Sequence, residues 1–465
     1  MQYYSERLEH ALVKAESQKT VRQAEVFLGA NKLLTIRSAV SKILESKIIQ
    51  DAGLGIRVLT KDGSGFSSTC DFSDKSISET IDEAVAIAKY RKIDPAYSFA
   101  SPQKTDRENK FHDPKLVEAI FSYEDINDQI NQMLQETSEL NPAIKEVAGP
   151  IHLVHYSKQI MNSHGVDVSE TGTWWTIELM AVAESAIDRR EGTDASGGWR
   201  LDEIDTKSLS EHAVDMAVRS LDGKKIDGGS YELILSPVSV STYISWLSLL
   251  TRPQFQERNM PLLKDKIGEQ ISSTLMTVGN DPLRVPSSVS GAYDDEGVPT
   301  RDIVLIEEGV FKEMPLDTFY ATQFKTNSKG TGYRQQAGSG MTNYPGQLYQ
   351  SEPTPYLPSI YMESGNSNVE EMIAETKNGV YLDFLHYAYI TNGGTGDYTG
   401  VLRQGTFLIK NGEIRGALQK CRLLDNIIEM AKGIEMVGVS QMAGHWSSIM
   451  HVPPIKITRV NITPY

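Results

Sequence analysis

The chain has 465 residues, 40% apolar and 23% charged, the make-up of a globular protein long enough for two or three domains. Its 61 acidic against 46 basic residues leave a net charge of −15, which opposes a phosphate backbone, and no block of lysine or arginine supplies a basic face, so direct nucleic-acid binding is not expected. The longest apolar runs, such as Tyr231–Leu235 and Trp246–Leu250, fall far short of the roughly 18 residues of a membrane-spanning helix, and Met1–His10 lacks the basic cap and apolar stretch of a secretory signal. The expectation is a cytoplasmic protein with Cys70 and Cys421 as buried free thiols.

Along the chain, Leu8, Ala11, Leu12 and Ala15 recur at helical spacing and predict an amphipathic opening helix over 5–19. Strand-like runs follow at Glu25–Leu28, Lys32–Arg37, Gly55–Thr60 and Gly65–Cys70, the last two joined by a turn at Lys61–Gly65. Ser76-Ile-Ser-Glu79 reads as a capping box, serine and glutamate each meeting a free backbone N–H, that opens a helix to about Tyr90. Residues 94–113 are polar and proline-bearing, as a linker would be.

The next segment, 114–222, repeats the plan of 1–93. A helix is expected over 114–138, then strands at Ile151–Ser157, Gln159–Asn162, Gly165–Glu170 and Thr173–Glu184, and a glycine-rich turn at Thr193–Trp199. Lys207-Ser-Leu-Ser-Glu211 then opens a helix by the same capping logic, at the place Lys75-Ser-Ile-Ser-Glu79 holds in the first segment.

Composition shifts again in 229–465. Tyr231–Leu235 reads as a buried strand running into Ser236-Pro237, an N-cap serine with proline at the first helical position, and a helix to about Leu250. A capped helix is expected over 366–376, and strands dominate from Gly379 onward, with a hairpin turn at Lys410-Asn-Gly-Glu413. The expected class is α+β: an N-terminal α/β region of two similar helix-sheet modules, then a mostly β C-terminal domain with a mixed or barrel-like sheet.

For chemistry, the densest stretch is Ser290-Gly-Ala-Tyr-Asp-Asp-Glu-Gly-Val-Pro-Thr-Arg301, followed by hairpin-like Asp302–Phe311. Asp294, Asp295 and Glu296 suit a hard-cation site, a peptide cleft or a polar turn in which Arg301 pairs one carboxylate, although consecutive residues converge on an ion only if the backbone coils around it. The nine histidines include no pair spaced for a metal on one helix face. His152 and His155 point to opposite faces of a strand, and a six-residue strand from His445 to His451 would hold them about 20 Å apart. Neither a phosphate-cradling loop nor a nucleophile elbow occurs, and Ser339, between Gly338 and Gly340 in the long polar stretch Lys325–Gly346, is at most a loop residue.

These landmarks together resemble the TldD/PmbA family, also called modulators of DNA gyrase. They are Asn162-Ser-His-Gly165, Asp294-Asp-Glu-Gly-Val-Pro-Thr-Arg301 with Glu308-Gly-Val, Leu316-Asp-Thr-Phe-Tyr-Ala321, and Gly400-x-x-Arg-Gln-Gly-Thr-Phe-Leu-Ile-Lys-Asn-Gly-Glu413. The resemblance implies two arms. In the TldD arm a His-Glu-x-x-x-His helix and a late cysteine hold zinc, and the protein is a peptidase; in the PmbA (TldE) arm that set is absent, and the protein pairs with a TldD-type subunit so that peptides are cleaved between them. Here the corresponding helix reads Ser241-Thr-Tyr-Ile-Ser-Trp-Leu247, and the place of the late cysteine reads Gln441-Met-Ala-Gly-His445.

What the resemblance implies is therefore a PmbA/TldE-like chain with no catalytic or metal residues and no cofactor of its own, zinc being expected in a TldD-type partner within a hetero- or homodimer. Asp294, Asp295, Glu296, Arg301, Gly338, Ser339 and Gly340 are the candidates for a peptide cleft, which the loop 325–346 would line by holding an extended peptide through its backbone. Two alternatives are a stand-alone metal-dependent hydrolase using Asp294, Asp295 and Glu296, and a non-enzymatic regulator that binds a topoisomerase.

Overall fold

The computed structural model describes residues 2–61, 63–335, 348–445 and 448–465. Six antiparallel strands form one N-terminal sheet: β1 (Val21–Ala39), β2 (Lys42–Thr60), β3 (Ser64–Thr69), β4 (Ile144–Asn162), β5 (Asp167–Glu184) and β6 (Arg189–Gly198). Their order is β3-β2-β1-β4-β5-β6, so the two helix-sheet modules meet along β1 and β4 in a single sheet. The strands are longer than the local pattern predicts. The expected pair Glu25–Leu28 and Lys32–Arg37 is one strand, β1, and the four short strands over 151–184 merge into two, β4 and β5, because ladders to neighbouring strands, on both edges of β1 and β4 and on the β4 edge of β5, carry glycine and polar residues through without a break.

Even-numbered residues of β1 face the helices. α1 (Gln2–Glu16) and α2 (Asp74–Ala88) cover one half of the sheet, burying Leu8, Val26, Leu28, Ile56 and Ile81 together. α3 (Pro114–Phe121), α4 (Tyr123–Glu139) and α5 (Thr206–Arg219) cover the other, around Leu134, Leu153, Trp175 and Ile177. The helix expected over 114–138 is two, broken at Ser122.

Both expected caps are displaced. Ser73 caps α2 by accepting from the Ser76 N–H, and Asp205 caps α5 by accepting from the Ser208 N–H. Lys75–Glu79 and Lys207–Glu211 are instead exposed ion pairs one turn inside each helix, both at 3.8 Å.

The two modules also share a packing device. A Cβ at Gly65 of β3 would lie 1.8 Å from the Ala84 carbonyl oxygen of α2, and one at Gly192 of β6 would lie 2.2 Å from that of Ala213 in α5. Each glycine lets a helix backbone rest directly on the outer strand of its module. For a similar reason Thr193–Trp199 is mostly strand rather than the expected turn: Gly197 makes room on β6 for Ile449, whose side chain a Cβ would meet at 1.6 Å.

The C-terminal region closes five strands into a barrel: β7 (Gly229–Leu235), Ile455–Pro464, Cys421–Asn426, Asp397–Lys410 and Asn378–Asn392, the last pairing in parallel with β7. A second sheet contains Ile303–Glu307, Val278–Asn280, Ile360–Met362 and the antiparallel pair Gln441–His445 and Ser448–Val452. His451 therefore lies across from Met442 on the returning strand, and the expected strand spacing between His445 and His451 does not apply. α6 (Pro237–Leu250), capped by Ser236 as expected, packs against both Asn378–Asn392 and Gln441–His445.

Cys70 and Cys421 are unpaired; Cys421 is buried as expected, but Cys70 is exposed. Among the described residues no helix is long and apolar enough to cross a membrane.

Candidate functional site

The acidic turn sits where the C-terminal region meets the sheet face opposite the helices. Odd-numbered residues of β1 look this way, and Phe27 packs with Ile160 of β4 against Val298 and Tyr349. Asp294 folds the turn on itself. Its Oδ1 accepts from the N–H groups of Glu296 (3.0 Å) and Val298 (2.9 Å), and its Oδ2 from Gly332 (2.8 Å), while Gly297 takes a positive φ of 75°.

The next two carboxylates leave in other directions. Asp295 accepts from Lys158 Nζ of β4 at 2.7 Å and from the Arg334 N–H at 2.8 Å. Glu296 accepts from Arg57 Nη2 of β2 at 3.1 Å and from Thr318, through Oγ1 at 2.6 Å and N–H at 2.7 Å. Arg57 is also held by Glu25, its cross-strand neighbour on β1, in a two-pronged contact of 2.9 and 2.7 Å, and Arg334 reaches the same Glu25 at 3.0 Å.

All three carboxylates of the turn are fully buried. The cations Arg57, Lys158 and Arg334 meet Glu25, Asp295 and Glu296, which leaves Asp294 and Asp317 to bind N–H donors alone. Burial and then the Glu296 charge push both of these carboxyls well above the usual range, against the pull of their N–H donors. Burial brings Arg334 down to about 10, and Glu25 opposes it. At Arg57 the burial penalty is outweighed by Glu25, Tyr97 and Glu296, and its pKa rises.

This network locks two regions together and offers little open chemistry. The carboxylates of Asp294, Asp295 and Glu296 are each aimed at a different protein partner, and among the described residues no group of three or more His, Cys, Asp or Glu can hold a metal ion. That geometry goes against the stand-alone metal-hydrolase alternative. What the turn does hold is Gly332–Arg334, a short strand paired with Pro353–Pro355. Arg301 is half-exposed and pairs with Glu313 at 2.7 Å rather than with the turn, and Gly338, Ser339 and Gly340 lie outside the described residues.

Sequence reading missed Glu25, Arg57, Lys158 and Arg334. The signal was present for the first two: an acid in Ala-Glu-Val-Phe-Leu and a base in Gly-Ile-Arg-Val-Leu, each inside an apolar strand where a charge must be paired to be buried. The landmark Leu316–Ala321 also gains a reason. Asp317 caps the helix Thr318–Gln323 by accepting from the Tyr320 N–H, and this aims Thr318 at Glu296.

α6 presents a different surface. Ser241 Oγ donates to the Val238 carbonyl at 2.8 Å, Ser245 Oγ to that of Ser241 at 2.9 Å, and Tyr243 OH to that of Ile427 at 2.7 Å. Its hydroxyls are turned back onto carbonyls, and the strand packed on it, Gln441–His445, has no cysteine. Elsewhere, His112 and His155 face each other with ring centres 5.7 Å apart beside a cavity of about 590 Å³ on the helix side of the sheet.

Three family models match in succession: PmbA/TldA metallopeptidase domain 1 over residues 24–88, the central domain over 117–221, and the C-terminal domain over 228–464. Curated relatives include a metalloprotease of Methanocaldococcus jannaschii, 23% identical over 89% of each chain, and the Escherichia coli O157:H7 protein named metalloprotease PmbA, 21% identical over 89% of this chain and 87% of that one. TldE from Thermococcus kodakarensis has the same fold, with a TM-score of 0.86 at 23% identity over 98% of this chain and all of that one. A Thermotoga maritima protein described as a modulator of a DNA gyrase superposes with a TM-score of 0.85 at 17% identity, over 99% of this chain and all of that one.

Proposed function

The chain belongs to the PmbA/TldD metallopeptidase family, and from that premise we propose that it is a metal-free subunit that shapes the peptide-binding cleft of a TldD-type zinc peptidase without cutting peptides itself. The observation that carries this reading is α6. Where the family resemblance puts a His-Glu-x-x-x-His helix facing a late cysteine, this chain has hydroxyls bonded to carbonyls and a strand with no thiol. Zinc and the general base then belong to the partner subunit.

In this reading Asp294, Asp295 and Glu296 touch no peptide. Asp294 and Asp295 hold Gly332–Arg334, the strand that precedes Gly338-Ser339-Gly340 in the chain, while Glu296 ties the turn to Arg57 of the N-terminal sheet, and so together they position the cleft wall. Two unpaired cysteines fit a reducing cytoplasm. The acidic net charge speaks for a peptide substrate over nucleic acid.

The test is metal analysis of the purified chain together with peptide cleavage measured with and without a TldD-type subunit. The expected result is no stoichiometric zinc in this chain, and zinc-dependent cleavage only in the mixture. Stoichiometric zinc, or strong cleavage by this chain alone, overturns the proposal.

A further inference from the structure

We propose that Arg252, with the Tyr356 ring across its guanidinium, receives a carboxylate of the peptide substrate; the inference rests on the reading above for the peptide, and on this chain alone for the site. Arg252 follows α6 directly and is only 7% exposed. Its Cζ lies 4.7 Å from the centre of the Tyr356 ring and 5.9 Å from that of Phe255.

What sets Arg252 apart is the lack of a counter-charge. Among the described residues the buried lysines and arginines are Arg57, Lys158, Arg252, Arg334 and Lys456. Arg57 and Arg334 share Glu25, Lys158 pairs with Asp295, and Lys456 pairs with Glu232 and Glu435. Arg252 pairs with no carboxylate among the described residues, and its Nε is enclosed without a hydrogen-bond partner there. Residues 336–347 contain no aspartate or glutamate that could serve. Burial pulls the Arg252 pKa down to about 10 and only Tyr356 opposes it, so the group is still charged at neutral pH. The carbonyl end of α6 and the aromatic face favour a cation here, but they replace only part of the hydration it has lost. An enclosed charge without a partner is costly, and an anion from outside the chain would complete it.

The position of Arg252 connects it to the cleft wall. Gln254, two residues on, donates from Nε2 to the Pro355 carbonyl at 2.8 Å, and the Tyr356 N–H donates to the Thr331 carbonyl at 2.9 Å. Pro355 is paired with Gly332, so Arg252 and Tyr356 stand at the end of the two-stranded ribbon that is farther along the chain from residues 336–347. A peptide laid along the ribbon would reach them with one end. Gln254 Oε1 is likewise enclosed without a partner among the described residues. A donor fork and a free acceptor together match a C-terminal residue, which offers a carboxylate and an N–H, whereas an acidic side chain offers the carboxylate alone.

The experiment is isothermal titration calorimetry of the full chain, alone and mixed with a TldD-type subunit stripped of zinc. The probes are three acetylated hexapeptides of alanine and serine: one with a free C-terminus, one amidated, and one amidated with an internal glutamate. A carboxylate peptide should bind at least roughly tenfold more tightly than the neutral amide, through one charge-assisted fork. Whether the free acid, the glutamate peptide or both bind tightly tells a C-terminus from an acidic side chain, and the free acid is expected to be the tighter. Arg252→Met should erase the preference yet melt no lower than the wild type, because it removes an unpaired buried charge. Arg252→Lys, which keeps the charge without the fork, should recover part of the preference. A purely structural arginine would give the opposite result, a lower melt with the preference unchanged. Three peptides bound alike, no binding in either sample, or a preference that survives Arg252→Met would overturn the proposal. Zinc-dependent cleavage by the zinc-loaded mixture without any carboxylate preference would sink this site and leave the subunit reading standing; a preference tied to Arg252 without such cleavage would do the reverse.

Discussion

The acidic turn Asp294–Glu296 and the helix α6 are the two places where chemistry was to be sought, and they differ in an instructive way. The turn carries three carboxylates in a row, but every one is buried and occupied by Lys158, Arg57, Thr318 or backbone N–H groups. α6 carries no ionisable group able to bind a metal, yet it lies against the strand where the family resemblance seeks the last zinc ligand. Reactive residue types make a site only when their lone pairs are left without protein partners. A bland helix in the right place can say more about function than a charged turn in the wrong one.

The contrast can be broken from either side. The largest effect should come from Glu296→Ala, which leaves Arg57 short of a buried partner and removes the acceptor for Thr318; a loss of about 3–5 kcal/mol is expected in urea unfolding. If stability hardly changes, the turn is not the clamp that its contacts describe. Lys158→Met should follow at about 3 kcal/mol, because Asp295 keeps only the Arg334 N–H.

A pH series tests whether the junction behaves as one unit. At its other end His212 of α5 contacts Asp383 of the barrel at 3.1 Å, with Asp194, Asp215 and Tyr381 nearby. Burial lowers the His212 pKa, but the hydrogen bond and charge of Asp383, aided by Asp194 and Asp215, raise it to about 9 from an ordinary 6.5. A folded pKa above the unfolded one means stability that is complete below about pH 6.5 and lost as pH rises through 9. Burial also raises Asp194 to about 6, and its contribution is lost in the same direction at lower pH. Thermal melts should therefore fall between pH 7 and 10 in the wild type and flatten over that window in His212→Gln. The smallest change should be Ser241→Ala in α6, within about 0.5 kcal/mol, because alanine's helix propensity offsets the lost hydroxyl contact. A large loss there would mean that α6 does more than fill space.

The elements were largely legible from the chain: the opening helix, the Ser236-Pro237 start of α6, the Asn411-Gly412 hairpin and the β-rich C-terminal region all follow from spacing and turn chemistry. Strand lengths were not. Gly29 and Gly172 read as breaks when the chain is scanned locally, and only neighbouring strands, β2 and β4 on either side of β1 and β4 beside β5, carry the chain through them. The caps of α2 and α5 were misplaced by three residues or fewer, since several Ser and Asp stand near each helix start and the tertiary position of the helix selects among them.

The acidic turn marks the division most clearly. Its residues, its tight geometry and its place among the family landmarks were set by local sequence, because a carboxylate that accepts N–H groups two and four residues ahead needs nothing distant. Whether those carboxylates would meet solvent, a metal or a peptide was decided by Glu25, Arg57, Lys158 and Arg334, which reach the turn from strands far away in the chain. A charge is open or enclosed according to what packs around it, and packing partners of that kind exist only once the N-terminal sheet and the C-terminal domain have come together.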